Sequence, residues 1–326
     1  MPPRRFNSLE ICAGAGGQAL GLEEAGFDPV ALIDNDNHAC ATLRVNRPGW
    51  NVLEMDLMDF DPVDHPYTYD VDLLAAGLPR VKSAASTRRV QDREARRLLE
   101  ATVLLAHGVQ PRAVLIENVP DFVTSDDFTD IRGFVHQELE HLGYRLSLGI
   151  VNAKAYQVPQ DRKQGVLVAL KNEIADHFTW PRPDITSAPT VGAALGASMT
   201  ARGWRHAAAW AARADRPAPA IVGGSKNRGG ADLGPSGTKQ AWARLGVNGG
   251  SIGNDVPELD FPWCPDGDPK DLPKLTVPQV AILQAFPPDW RLCGGKTARY
   301  RQLGHASPPP VARALGQRIA SALTGR

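Results

Sequence analysis

From Ser8 to about residue 170, short apolar runs alternate with helical patterns, and that alternation leaves a chain few folds to adopt. SLEICA has the pattern of a strand, GQALGLEEAGF of a helix closed by Gly26, and PVALID of a second strand. A helix (HACATLRVN), a third strand (WNVLEMD) and a fourth (DVDLLAAG) follow. Next come a long helix (DREARRLLEATVLLAHG), a strand (RAVLIENV), a helix (FTDIRGFVHQELEHLG) and the pair YRLSLGIVNA and QGVLVALK. The expected fold class is α/β, a doubly wound sheet. A TIM barrel shares the alternation, but a glycine-rich first turn favours the open sheet.

That turn is Ala13-Gly14-Ala15-Gly16-Gly17, set between the first strand and the first helix. Without Cβ hindrance, its peptide N–H groups and the helix N-terminus can face a ligand. Asp34 ends the second strand about 20 residues on, where a carboxylate commonly accepts hydrogen bonds from ribose hydroxyls, and Asn35 follows it. Asp56 ends the third strand, where it could face an adenine amino group, and Gly77 closes the fourth. Three ligand-facing strand ends suggest an adenosine cofactor, with close packing of the crossing as the plainer alternative. The glycine spacing is not GxGxxG, which counts against a dinucleotide. Glu117 and Asn118 finish the strand RAVLIENV. A carboxyl and an amide there could meet a ring nitrogen and an exocyclic amine, or could cap a helix.

The chain of 326 residues carries 36 basic and 36 acidic residues, so any polyanion site must be a local patch. After Thr179 the composition turns rich in Gly, Pro, Ala and Arg. Between Trp180 and Gly250 nine basic residues face three acidic ones, a local net of +6. Lys226, Arg228 and Lys239 flank a flexible glycine-rich stretch there and could reach phosphates or guanine edges. Cys12, Cys40, Cys264 and Cys293 show no CxxC pairing and no metal-ligand spacing. With no signal-peptide pattern and no long apolar stretch, a cytoplasmic protein with no membrane association is expected.

Six segments in order carry a resemblance: AGAGGQALGLEEAGF, IDND, ENV, QVPQDRKQGVLVAL, LTVPQVAILQAFPPDW and YRQLGHASPPPVARALG. Together they resemble the DNA cytosine-C5 methyltransferase family, of the bacterial restriction–modification type. The resemblance implies a doubly wound mixed sheet of the S-adenosylmethionine-dependent methyltransferase type, formed by 1–179 and 274–326. It implies a small, basic, loop-rich target-recognition domain at 180–273. S-adenosylmethionine (or S-adenosylhomocysteine) would be the cofactor and double-stranded DNA the partner, with a target cytosine flipped out of the duplex. In this family a thiolate adds to ring carbon 6 and so activates carbon 5 for methylation. Glu117 would support that addition, Arg162 would hold the base or its phosphate, and His305-Ala306 would close the cofactor pocket.

The departures from the family pattern are chemical. The family reads Pro-Cys after the fourth strand, and this chain reads Pro79-Arg80. Gln164 stands for the second arginine of the base clamp, His305 for an asparagine and Glu10 for an aspartate. A guanidinium stays protonated and donates hydrogen bonds only, so Arg80 cannot act as the thiolate does. Arg80 and Lys82 would instead hold phosphate or a base edge. The expectation is a homologue that binds cofactor and duplex with weak or absent methyl transfer, acting alone or beside an active methyltransferase or restriction partner. Two alternatives stay open: an active enzyme with another nucleophile or a partner's, and S-adenosylmethionine chemistry on a non-DNA substrate.

Overall fold

The computed structural model describes residues 5–79, 89–184, 188–223 and 230–325 and, within 89–95, the backbone. In chain order the elements begin with β1 (Phe6–Ile11), α1 (Gly17–Glu24), β2 (Phe27–Asp34), α2 (Asn37–Asn46), β3 (Val52–Glu54) and β4 (Leu73–Gly77). Then come α3 (Arg89–Val109), β5 (Ala113–Asn118), α4 (Asp121–Thr124), α5 (Thr129–His141), β6 (Tyr144–Asn152), β7 (Gln160–Asp161), β8 (Lys163–Lys171) and α6 (Asn172–Ala175). The remainder holds α7 (Val191–Met199), α8 (Ala207–Arg213), β9 (Ala218–Pro219), α9 (Ser236–Arg244), α10 (Val277–Leu283), α11 (Lys296–His305) and α12 (Pro309–Leu323).

Seven strands form one sheet in the order β3-β2-β1-β4-β5-β8-β6. β1, β2, β3, β4 and β5 run parallel, and β8 runs antiparallel to β5, so the sheet is mixed and doubly wound as expected. The chain leaves β1 toward β2 and β3, then returns to β4 on the other side. The gap between β1 and β4 is therefore the topological switch point, where open α/β sheets bind ligands beyond their strand ends.

The central strands are buried on both faces, which is why they appear as continuous apolar runs rather than alternating ones. On one face Leu9, Ile11, Leu74, Ala76, Val114 and Ile116 pack with Leu99 and Val103 of α3 and Val135 and Leu139 of α5. On the other, α12 lies so close to α1 that a Cβ on Gly316 would come within 2.8 Å of Ala25 and 2.9 Å of Leu22. Arg313 pairs with Glu24 at 3.3 Å, and Arg112 donates to the Leu323 carbonyl at 3.1 Å.

The expected third strand is shortened. Only three residues pair with β2, and the chain then turns over Asp56, whose side chain accepts from the Met58 N–H. In the loop-rich stretch, α7 and α8 form from VGAALGASM and AAAWAAR, whose alanines favour helix, while two glycines in α7 weaken the signal of its buried Val191-Leu195-Met199 face.

The chain divides into two compact units. One comprises 1–151, 163–182 and 311–326; the other comprises 152–162 and 183–310. In the second, the Gln160 amide donates to the Gln284 side chain at 2.7 Å and accepts from the Ile221 N–H at 2.8 Å, while Thr276 and Gln279 form a reciprocal cap on α10.

Gly165, on β8, would place a Cβ 2.3 Å from the Val119 carbonyl oxygen, a backbone atom that cannot yield cheaply. Gly165→Ala is therefore expected to destabilise by about 1–3 kcal/mol, as overpacking does. Calorimetry checks it: the transition should fall by several degrees, at about 2–4 °C per kcal/mol.

Candidate functional site

The parallel strands bring their C-terminal ends to one edge of the sheet, and the residues of the first unit that were expected to face an adenosine cofactor collect there. The turn after β1 alternates in hand: Cys12, Gly14 and Gly16 have φ of 51°, 56° and 82°. Such a turn aims successive N–H groups outward, and the space where a Cβ of Gly14 would lie is open to 4 Å. Ala13 and Gly14 are half-buried, while Ala15, Gly16 and Gly17 are buried where α1 begins.

Asp34 fixes the turn. One carboxylate oxygen accepts from the Gly14 N–H at 2.8 Å and the other from the Asp36 N–H at 2.8 Å, while the Ala13 N–H reaches the Ile33 carbonyl at 3.1 Å. The Asn35 amide donates to Asp56 at 3.3 Å, tying the second and third strand ends together. Gly77 closes the group: a Cβ there would lie 3.0 Å from the Cys12 carbonyl oxygen, so a larger residue would make the turn give by a few tenths of an ångström.

Beneath this edge lies a carboxyl that the sequence flagged only as a mild replacement. Glu10 is buried (1% exposed), with one oxygen accepting from the Ser8 hydroxyl at 3.1 Å and the other without a partner among the described residues. Burial pushes its pKa up to about 8, against the Ser8 hydrogen bond, which favours the charged form. Nearby, burial and then the charges of Asp34 and Asp56 push the Cys12 thiol up to about 12. Burial and Asp34 do the same to Cys40.

One strand over, Gly77 pairs in register with Glu117. The Gln164 side-chain amide, on β8, donates to the Glu117 carboxylate, and Asn118 is buried with its oxygen accepting from the Val119 N–H at 2.8 Å. Glu117, Asn118 and Gln164 thus form one cluster.

The other expected residues belong to the second unit. Arg162 is buried, and its Nη1 donates to the Ile221 carbonyl at 2.9 Å and the Gly304 carbonyl at 3.1 Å. Ala306 is a buried C-cap of α11, and His305 lies against Gly223, where a Cβ would come within 2.4 Å of its ring. Lys239 is ion-paired to Asp232 at 2.8 Å. Arg80, Lys82, Lys226 and Arg228 lie outside the described residues.

The basic character of the insertion changes once its partners are in place. Arg202 pairs with Glu258 at 2.6 Å, Arg205 with Asp260 at 3.1 Å, Arg213 with Asp266 at 3.3 Å and Arg216 with Asp215 at 3.7 Å. Most of these carboxylates come from 251–273, which holds six acidic residues and one lysine and brings 180–273 to ten basic against nine acidic residues. The net of +6 came from a window that ended before its counter-charges.

Tyr300 is a contributor that no motif announced. Its hydroxyl lies 2.9 Å from the Val222 carbonyl and 2.6 Å from that of Asp232, and burial, reinforced by Asp232, raises its pKa so that it remains a donor.

The chain matches the family model described as C-5 cytosine-specific DNA methylase over residues 6–321. It is 43% identical over 97% of its length to the type II methyltransferase M.NaeI of Lentzea aerocolonigenes, covering 75% of that protein. It is 38% identical to M.NgoMIV of Neisseria gonorrhoeae, with 98% of each chain covered. Among solved structures, a variant of Spodoptera frugiperda DNMT2 shares the fold with a TM-score of 0.62 at 16% identity, covering 96% of this chain and 99% of that one. The S. pombe Dnmt2 methyltransferase does so with a TM-score of 0.58 at 17% identity, covering 99% and 98%.

The Glu10 geometry sets a pH dependence. A carboxyl whose folded-state pKa of about 8 exceeds its ordinary 4.5 contributes stability that is present below 4.5 and lost as pH rises through 8. Glu10→Gln, which keeps the shape without the charge, should be more stable than the native chain at pH 8. That gap should narrow toward pH 4.5 by at most about 1.4 kcal/mol per pH unit. Denaturant melts across that range check it.

Proposed function

Since the chain belongs to the C-5 cytosine-specific DNA methylase family, for which S-adenosylmethionine is the expected cofactor, we propose that it binds that cofactor and double-stranded DNA but transfers the methyl group weakly or not at all. The observation that carries this reading is Arg80, which stands where the family's nucleophilic cysteine would stand. Covalent catalysis needs a lone pair that attacks and later leaves, and a guanidinium has none to offer at any physiological pH.

The residues at the sheet edge fit the cofactor. The open turn at Gly14, braced by Asp34, offers N–H donors; the Asp34 and Asp56 carboxylates suit ribose hydroxyls and an adenine amine. When bound, S-adenosylmethionine supplies an electrophilic methyl group. In this reading Ala13 to Gly17, Asn35 and Gly77 shape its seat in the first unit; His305 and Ala306, which the resemblance also assigns to the cofactor, stand at the end of α11 in the second. Glu117 and Asn118 address a flipped cytosine, with Gln164 orienting the Glu117 carboxylate and Arg162 bracing the chain that follows β7.

Neither Cys12 nor Cys40 replaces the missing thiol. Cys12 and Cys40 belong to the cofactor turn and α2, and with pKa values near 12 they stay protonated at neutral pH. A protein of this kind grips a duplex without modifying it. The role is then that of a DNA-binding regulator, or of a companion to an active methyltransferase or restriction enzyme, in the cytoplasm and on the nucleoid. Residues 180–273 form the target-recognition part, with Lys82, Lys226, Arg228 and Lys239 among the groups near the duplex. No helix among the described residues is long and apolar enough to cross a membrane.

The identity of 43% to a type II methyltransferase favours the rival reading, an active enzyme using another nucleophile or a partner's. Two measurements separate them. Radioactive methyl transfer to GC-rich duplex should give no incorporation above a no-protein control, and 5-fluorocytosine duplex should trap no covalent adduct. Robust incorporation that survives Arg80→Ala would overturn the proposal. Calorimetry should show S-adenosylmethionine binding by the native chain and affinity lowered about tenfold or more by Asp34→Ala, the loss of ~1.4 kcal/mol from an unbraced turn.

A further inference from the structure

We infer that the β6 edge of the sheet is a pairing surface for a second copy of this chain, two β6 strands joining antiparallel about a two-fold axis at Leu148. The inference stands apart from the cofactor and duplex readings, since neither uses this edge.

An edge strand presents a row of backbone N–H and C=O groups that pair with an extended chain unless something prevents it. The two edges of this sheet differ. β3 is three residues long and ends on the exposed Glu54, so it offers little to pair with. β6 runs for nine residues with β8 as its one neighbour in the sheet. From 146 to 152 it holds no charged residue and no proline, the residue types that usually blunt an edge.

The strand is also apolar where it is exposed. Side chains alternate along a strand, so Leu146, Leu148 and Ile150 share one face. Tyr144 and Leu146 pack into the core shared with α3 and α5, whereas Leu148 and Ile150 remain 40% and 44% exposed. On the other face Gly149 leaves room for Trp180, whose ring a Cβ there would approach within 2.8 Å.

The occupant that suits this edge is an extended segment that is apolar and uncharged, because a charged one would find no counter-charge between Arg145 and Lys154. Those two cations are already paired, with Asp176 and Asp161. β6 itself meets the description. A strand set antiparallel to its own copy is symmetric whichever residues point their backbone groups outward, so donors and acceptors match. With the two-fold at Leu148, that residue meets its own copy, Leu146 meets Ile150 of the second copy, and Ser147 meets Gly149. All three apolar side chains then sit in cross-strand pairs, and Arg145 lies opposite Val151 rather than another cation. The two seven-stranded sheets become one.

The test is sedimentation velocity across a concentration series, run without cofactor or DNA so that failure of the proposed function leaves it untouched. A seam of one strand pair lies at the small end of protein interfaces. The native chain should therefore associate in the micromolar range and be mostly dimeric at about 100 μM. Leu148→Lys and Leu148→Glu each set like charges opposite one another, and each should weaken association at least about tenfold. Mixed in equal amounts, the two variants should associate again, because lysine now faces glutamate; that rescue also shows that both are folded. Leu104→Lys, at a 56% exposed position on α3, should leave association unchanged. A native chain still monomeric at about 100 μM, a dimer that Leu148→Lys leaves intact, or a mixture that does not re-associate overturns the inference. A monomeric chain that binds a neutral Thr/Val strand peptide would make a different protein the occupant, and overturns the second copy equally.

Discussion

The candidate cofactor edge depends on one carboxylate. Asp34 takes the N–H of Gly14 on one oxygen and that of Asp36 on the other, so one side chain sets both the turn after β1 and the entry to α2. The turn needs this help, because Cys12 is a non-glycine residue at φ 51°, a conformation that costs free energy and persists only where its surroundings impose it. Gly77 supplies the other constraint, bringing β4 against the Cys12 carbonyl. Between them they hold the switch point of the sheet in one shape before any ligand arrives, and preorganisation of that kind lowers the ordering cost of binding.

The second unit shows how charge is misjudged along a chain. Nine cations in a seventy-residue window look like a polyanion site, but three of them, Arg202, Arg205 and Arg213, take carboxylates from the next twenty residues, folded back as partners, and Arg216 and Lys239 take acids from within the window. Exposed pairs like these add little stability. Their effect is to reduce the insertion's net charge, which over 180–273 is ten basic against nine acidic residues.

Much of the first unit was legible, and the reason is periodicity. Parallel strands buried on both faces write uninterrupted apolar runs, and crossings announce themselves with Gly26 or the Ala13 to Gly17 turn. What stayed hidden depends on contacts distant in sequence. The shortness of β3 follows from pairing with only Leu32 to Asp34; the buried Val191-Leu195-Met199 face of α7 is diluted by alanines and two glycines. The Tyr300 bridge joins residues 78 and 68 positions away, and no local pattern encodes such a pairing. Arg162 was noticed as a base holder, yet its Nη1 donates to two backbone carbonyls, because a buried guanidinium takes whatever acceptors the fold brings to it.

On the proposed reading, what separates this chain from a working methyltransferase is a difference between two kinds of chemical requirement. Holding a cofactor or a base asks for donors and acceptors at fixed places, and many residues can serve: Glu10 for an aspartate, Gln164 for an arginine, His305 for an asparagine. Each such change shifts affinity by about the 1.5–3 kcal/mol of a hydrogen bond to a charged group. Adding to a pyrimidine ring asks for one lone pair on an atom that can leave again, and no arrangement of neighbours extracts that from a guanidinium. Recognition therefore degrades gradually under substitution whereas covalent catalysis stops at a single residue. That asymmetry is why an intact sheet edge, a Glu117 carboxylate still held by an amide, and an arginine at position 80 can coexist in one chain.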